Sequence, residues 1–241
     1  MRTPGNDSEL AAGFLLSEGL IAKAADIASI TESPKPGANI VRVDLAPSVP
    51  FDPLSQARHF YTTSSCGVCG KASLEALATC GLHPVPRDTF VFPAPLIHLL
   101  PAALRKAQPA FEATGGLHAS ALFSPEGTLL SLREDVGRHN ALDKLLGTEL
   151  LAGRTPLYHR LVLVSGRASF ELVQKCIAAG IPILAAVGAP SSLAVDLARE
   201  FDLTLLGFVR NGRFNIYSGG WRIDHETQNA GQLGAAPADS E

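Results

Sequence analysis

Uninterrupted apolar runs of membrane-spanning length are missing from this 241-residue chain, and its opening residues, Met1-Arg2-Thr3-Pro4-Gly5, have neither the charged start nor the apolar core of a signal peptide. No transmembrane anchor or secretory leader is expected, and the chain reads as cytoplasmic. Cysteine is scarce: there are four, two of them in Cys66-Gly67-Val68-Cys69, too few and too clustered for a disulfide scaffold and better suited to a reducing compartment. A basic excess is also lacking, with 20 Lys and Arg against 23 Asp and Glu, so the totals offer no face for counterion-release binding. No nucleic-acid or membrane-surface partner is expected. Charged residues reach only 18% and aromatics 6%, which fits a surface covered by a second copy or partner, or simply an Ala-rich composition. The 22 Gly and 17 Pro show no period, which excludes a collagen-like or linker protein, and 46% apolar residues can fill one large domain or two small ones. Arg provides 14 of the 20 basic residues, nine of them between Arg133 and Arg222. Such residues suit bidentate contact with phosphate or carboxylate, though an Arg-rich genome would give the same count.

Periodicity divides the chain near residues 109–115. In the first part, Asp7 or Ser8 caps an amphipathic helix over 8–19, a strand covers 39–45, and the small, polar, Gly-rich stretch 60–70 is an exposed loop feeding a helix over 71–80. A further helix over 95–108 is broken or kinked by Pro101. Beyond the boundary, strands at 117–123 and 128–132 precede a helix from Arg138 to Leu146. A strand at 161–164, a helix at 169–179, a strand at 182–187, a helix at 191–200 and a strand at 203–209 then alternate. Asn211-Gly212 turns this last strand into another at 213–217. The fold expected is an α/β three-layer sandwich with a mixed sheet: right-handed crossovers make part of it parallel and two hairpins add antiparallel strands. Residues 1–112 form a smaller N-terminal α+β part carrying the Cys-X-X-Cys loop, 113–220 the α/β domain, and 221–241 a frayed tail.

Cys66 and Cys69 stand where a loop enters a helix, with Lys71 close by, and a helix N-terminus plus a cation lowers a thiol pKa. A Cys-X-X-Cys pair alone reads as a redox dithiol, as half of a zinc site or as a sulfur-carrying thiol. The other cysteines, Cys80 and Cys176, make no second metal pair and sit in apolar helical patterns as core residues, so no structural metal is expected. A thioredoxin-like pair would follow a strand directly, whereas Thr and Ser precede this one. Arg138, His139 and Asn140 at one helix start and Ser165, Gly166 and Arg167 at another are anion-binding candidates. His118, in a strand of apolar neighbours, reads as a buried structural histidine.

Six ordered segments resemble the formate dehydrogenase accessory sulfurtransferases, the FdhD family. They are TPGNDSELAAGFLLSEGLI from Thr3, SSCGVCGKASLEAL from Ser64, TGGLHASALF from Thr114, EDVGRHNALDKLLG from Glu134, LVLVSGRASFELVQK from Leu161 and LGFVRNGRFNIYSG from Leu206. The resemblance runs from Thr3 to about Gly219. It implies that the protein accepts sulfur from a cysteine desulfurase as a persulfide on Cys66, assisted by Cys69. It implies that the sulfur passes to the molybdenum or tungsten bis-pyranopterin guanine dinucleotide cofactor before that cofactor enters formate dehydrogenase. By motif match, Phe208, Val209, Arg210, Asn211, Gly212 and Arg213 are the cofactor-binding stretch, with Arg138, His139 and Arg167 as further contacts. Two guanine arms would match two copies of one pocket, so a homodimer is expected.

The family's C-terminal part resembles the cytidine deaminase fold, yet the zinc deaminase motifs are absent: His139-Asn140-Ala141 has no Glu and Ser165-Gly166-Arg167 no Cys pair. A nonenzymatic molybdenum-cofactor chaperone is the alternative function. Members of the family usually begin some tens of residues earlier with strand-forming sequence, so Met1 falls inside the family pattern.

Overall fold

The computed structural model of the chain describes residues 1–33, 39–50, 82–88 and 90–225. In chain order, helix α1 (Asp7–Ser17) leads to strands β1 (Ile27–Glu32) and β2 (Val41–Leu45). Strand β3 (Phe92–Pro93) is followed by three short helices, α2 (Ala94–Ile97), α3 (Leu100–Lys106) and α4 (Pro109–Thr114). Strands β4 (His118–Phe123) and β5 (Leu129–Asp135) come next, then α5 (Arg138–Leu151), β6 (Leu161–Val164), α6 (Phe170–Ala178), β7 (Ile183–Ala186), α7 (Ser192–Glu200) and β8 (Thr204–Arg210) in alternation. The hairpin partner β9 (Arg213–Ser218) and the short β10 (Ile223–Asp224) close the order.

Six strands form one mixed sheet in the order β5-β4-β6-β7-β8-β9. β6, β7 and β8 are parallel, while β4 is antiparallel to both of its neighbours and β9 is antiparallel to β8. The parallel strands are short, continuous apolar runs because both faces are covered. Alternate side chains therefore feed two cores. Val162, Val164, Leu184 and Ala186 pack with Leu142, Leu145, Leu172 and Leu197 of the crossover helices α5, α6 and α7. Leu161, Leu163, Ile183 and Ala185 pack on the other face with Phe92, Ile97, Leu100 and Leu104. The result is the expected three-layer α/β sandwich. Residues on both sides of position 112 share these layers, since α1 lies in the first helical layer and α2 and α3 make the second.

Helix α1 is less one-sided than an amphipathic surface helix, because α5 covers one face and the β1–β2 pair another. At the α1–α5 crossing a Cβ on Gly13 would overlap the backbone carbonyl of Asp143, and one on Gly147 that of Glu9. Two glycines bring the helix backbones into contact.

Several boundaries differ from the sequence reading. Asn6, in the left-handed region at φ 59°, takes the N-cap position expected of Asp7 or Ser8. β1 is an added strand; its pattern of Ile27 and Ile30 among Ala, Ser and Thr is too weak to announce it. The helix expected over 95–108 is two helices, interrupted ahead of Pro101, and the stretch read as a boundary forms α4. Residues 221–225, read from sequence as the start of a frayed tail, belong to the folded part. Arg222 is wholly buried and donates to the carbonyls of Asp202 (2.6 Å) and Pro86 (2.7 Å), and β10 pairs in parallel with β3.

Candidate functional site

Strand directions decide where the polar loops meet. β5, β6, β7 and β8 all run the same way, and β4 starts where β6 ends, with Ser120 opposite Val164 and His118 opposite Asp135. One rim of the sheet therefore collects the start of α5, His118, Ser165 to Arg167, Val187 to Pro190 and the β8–β9 hairpin. Ligands of open α/β sheets bind at this carboxyl-terminal rim. From β5 to β8 it spans four strand spacings, roughly 19 Å.

A buried carboxylate fixes one end. Asp135 is fully buried, pairs with the Lys144 ammonium at 2.7 Å, and accepts from the amides of Gly137 (2.8 Å) and Thr3 (2.9 Å) and from Asn140 Nδ2 (3.1 Å). Burial raises its pKa, but these donors outweigh it and hold the carboxyl below its ordinary range. Lys144 also donates to the Thr3 carbonyl and Asn140 to that of Met1, so the first residues are strapped across the β5–α5 turn. Arg138 and His139 are thereby presented on the first turn of α5.

The neighbouring loops are laced backbone to backbone. The Gly188 amide donates to the Gly166 carbonyl (2.9 Å), Ser191 to Ala168 (3.0 Å), and Phe208 to Gly188 (3.0 Å). Gly188 packs so closely that a Cβ there would lie 3.0 Å from the Gly166 oxygen and 3.1 Å from the Arg167 nitrogen. Ser165 exchanges two bonds with Ala119, from its own amide and to its hydroxyl oxygen, each 2.9 Å. His139 Nε2 sits 3.2 Å from Ser169 Oγ and 3.7 Å from Glu171, whose carboxyl the imidazole holds down to about 2.

His118 corrects the sequence reading. It is half-buried at the start of β4, not enclosed, and its Nδ1 would lie 3.2 Å from a Cβ on Gly166, so that glycine makes room for the ring. Burial lowers its pKa, as do the positive charges of Arg138, His139 and Arg167 around it. Arg138, His139 and Arg167 thus form one basic cluster around His118. Within it, Arg138 Nε is buried and without a hydrogen-bond partner. An unanswered donor, two helix starts and an exposed Arg167 are the donor set that an anion requires.

At the opposite end of the rim, Phe208 and Asn211 have left-handed φ of 55° and Gly212 one of 67°. Arg210 and Arg213 face each other in register across the turn, both exposed, and the Arg210 guanidinium stands 5.7 Å from the Phe208 ring. Val209 differs from its neighbours: its side chain is fully buried in the second core, which leaves only its backbone for a ligand. Cys66, Cys69, Lys71 and Cys80 lie outside the described residues. Cys176 is buried in the first core, and burial pushes its thiol well above the ordinary range. Among the described residues no cluster of His, Cys, Asp and Glu could hold a metal ion, and no helix is long and apolar enough to cross a membrane.

A model described as the FdhD/NarQ family matches residues 1–224. The chain belongs to the FdhD/NarQ family. It is 53% identical over 230 residues to the sulfur carrier protein FdhD of Streptomyces avermitilis, covering 92% of this chain and 82% of that protein. Identity to the sulfur carrier protein FdhD of Mycobacterium tuberculosis is 48% over 232 residues, covering 92% and 84%. Among solved structures it resembles a protein from Desulfotalea psychrophila described as a formate dehydrogenase accessory protein, with TM-score 0.70 and 29% identity over 92% of this chain and 82% of that one.

Of the residues singled out in this FdhD/NarQ chain, Arg138, His139 and Arg167 come together around His118, while Phe208 to Arg213 occupy the far end of the same rim. Sequence reasoning passed over Gln108, Phe111 and Glu134. Glu134 accepts from the amides of Ala110 (3.0 Å) and Phe111 (2.8 Å), fastening the first turn of α4 to β5. The acidic start of EDVGRHN carries that signal, but a cap supplied from 23 residues away has no local pattern.

Proposed function

We propose that the protein is a sulfurtransferase of formate dehydrogenase maturation, carrying persulfide sulfur from a cysteine desulfurase to the molybdenum bis-pyranopterin guanine dinucleotide cofactor. The observation that carries this reading is the Cys66-Gly67-Val68-Cys69 pair in a chain about half identical to proteins named sulfur carriers. In the first step the Cys66 thiolate attacks the outer sulfur of the donor persulfide. That S–S bond breaks and the donor leaves as a thiolate. In the second, Cys69 attacks the inner sulfur of the Cys66 persulfide, releasing hydrosulfide for the acceptor and leaving a Cys66–Cys69 disulfide. A thiol reductant then restores the dithiol.

The acceptor is a substrate with pyrophosphate-bearing arms, and the rim supports that part of the reading. Arg138 with its unpartnered Nε, Arg167, His139 and the α5 and α6 starts favour a pyrophosphate, and Arg210 and Arg213 supply charge at the hairpin. Two copies related by a two-fold axis would each hold one arm and bring Cys66 toward a shared metal centre.

Incubation with a cysteine desulfurase and cysteine tests the first step. A mass gain of one sulfur is expected on the peptide holding Cys66, absent from Cys66→Ala, while Cys66→Ala keeps its affinity for GDP. Persulfide on no cysteine, with cofactor binding intact, would favour the nonenzymatic chaperone.

A further inference from the structure

Among the described residues, strand β2 pairs with β1 alone, which leaves its other edge open. The Ser33 amide donates to the Ile40 carbonyl (3.1 Å) and the Ala46 amide to that of Asp26 (2.8 Å), so even-numbered residues turn their backbone groups toward β1. Val41, Val43 and Leu45 turn theirs to the open edge. Such an edge is a template for another strand unless a covering element blunts it. Here a cavity of about 620 Å³ runs along it, walled by Ala11, Phe14 and Leu15 of α1 and by Val41, Val43 and Leu45. On the opposite face of the strand Arg42 and Asp44 pair at 2.8 Å, with the Arg42 side chain 75% exposed, and Ile40 is 65% exposed.

The order Val41-Arg42-Val43-Asp44-Leu45 is complementary to its own reverse. In an antiparallel pair centred on Val43, Val41 lies opposite Leu45 and Arg42 opposite Asp44, each contact occurring twice, as a two-fold interface requires. We propose that β2 pairs with β2 of a second copy about Val43, joining two hairpins into one four-stranded sheet. The inference rests on the two-fold dimer of the proposed function for there being a second copy, and on β2 for where the axis passes. Pairing gives the edge amides and carbonyls partners and seats the three apolar side chains of each strand over the cavity of the other copy. It also sets the exposed Ile40 beside the partner's Ala46. Val49 borders the same cavity and precedes Cys66 by 17 residues in sequence. The two Leu45 positions lie about 14 Å apart along the paired strands, so the chain segments leading to both Cys66 residues start on either side of one axis.

Sedimentation of the purified full chain over a micromolar concentration series tests the interface, with the wild type expected as a dimer. Arg42→Asp leaves only acidic side chains on the outer face of the pair and Asp44→Arg only basic ones, so each variant sets like charges opposite each other twice. Each should raise the dimer dissociation constant about tenfold or more, with the circular dichroism of the folded chain unchanged because both positions are exposed. An equimolar mixture of the two variants sets an acidic strand against a basic one and should recover dimers to within about threefold of wild-type affinity. The Arg42–Asp44 pair inside each chain is broken in both variants and mixing does not restore it, so recovery reports the contact between chains. Dimers unaffected by either substitution would overturn this interface and leave the two-fold reading standing. Weakened variants that do not recover on mixing would overturn it as well. A monomeric wild type would overturn both the interface and the two-fold reading, and persulfide formation on Cys66, measured separately, shows whether sulfur transfer stands without them.

Discussion

A thiol wholly enclosed by the leucines and valines of a helical layer, as Cys176 is, has neither access to a partner nor a populated thiolate. It is expected to resist iodoacetamide in the native protein and to react only on unfolding, whereas Cys66 should alkylate natively; peptide mass mapping after a timed pulse distinguishes them. Asp135 makes a different statement. Its folded pKa is depressed, so its contribution to stability is complete above the ordinary carboxylate range, near pH 4, and is lost as pH falls through the lower folded value. The urea midpoint should therefore drop on going from pH 5 to pH 3, less steeply in Asp135→Asn. Because that variant leaves the buried Lys144 ammonium without its counter-charge, it should also lose about 3 kcal/mol or more at pH 7.

At the scale of elements, the α1–α5 crossing admits no added methyl group, since backbone stands on the far side of each glycine. Gly147→Ala is expected to cost about 3 kcal/mol, seen as a lowered melting temperature, while Gly153→Ala on the open side meets nothing within 4 Å and is penalised only by its left-handed φ of 68°. The β8–β9 turn carries its own test: Arg210→Ala with Arg213→Ala should weaken GDP by about tenfold with no change in melting temperature, because both side chains are exposed. How far elements could be read from sequence follows the same physics. Leu161–Val164 is legible to the residue, being four apolar side chains between His159-Arg160 and Ser165-Gly166. The Asn211-Gly212 turn is legible because few dipeptides accept two left-handed residues. Helix α5 runs to Leu151, beyond the expected Leu146, since Gly147 is a contact point with α1 and not a stop. β3 and β10 are two residues each and have no period to detect. The candidate site was half legible: Arg138, His139 and Arg167 could be named from helix starts. His118 could not, because apolar neighbours conceal that a strand's first residue lies on the rim.

Across the whole molecule, the rim presents two cationic groupings, with only β7 between Arg167 at the end of β6 and the β8–β9 hairpin, so one arm of a two-armed ligand faces both. A two-fold dimer gives each arm of such a ligand an equivalent rim, so sedimentation at micromolar concentration is expected to report two chains per particle and one GDP site per chain. A monomer binding two GDP molecules would put both arms on one subunit. The two faces of the sheet are also clad unequally. Long crossover helices, clamped by α1, cover one face, while short helices started or interrupted by Pro93, Pro101 and Pro109 cover the other. Opening the second face breaks few backbone bonds, so it should occur without global unfolding. Amide deuterium uptake in α3 and α4 is therefore expected to run orders of magnitude faster than in β6 and β7. The more thinly clad side of the sheet is then where the protein opens first.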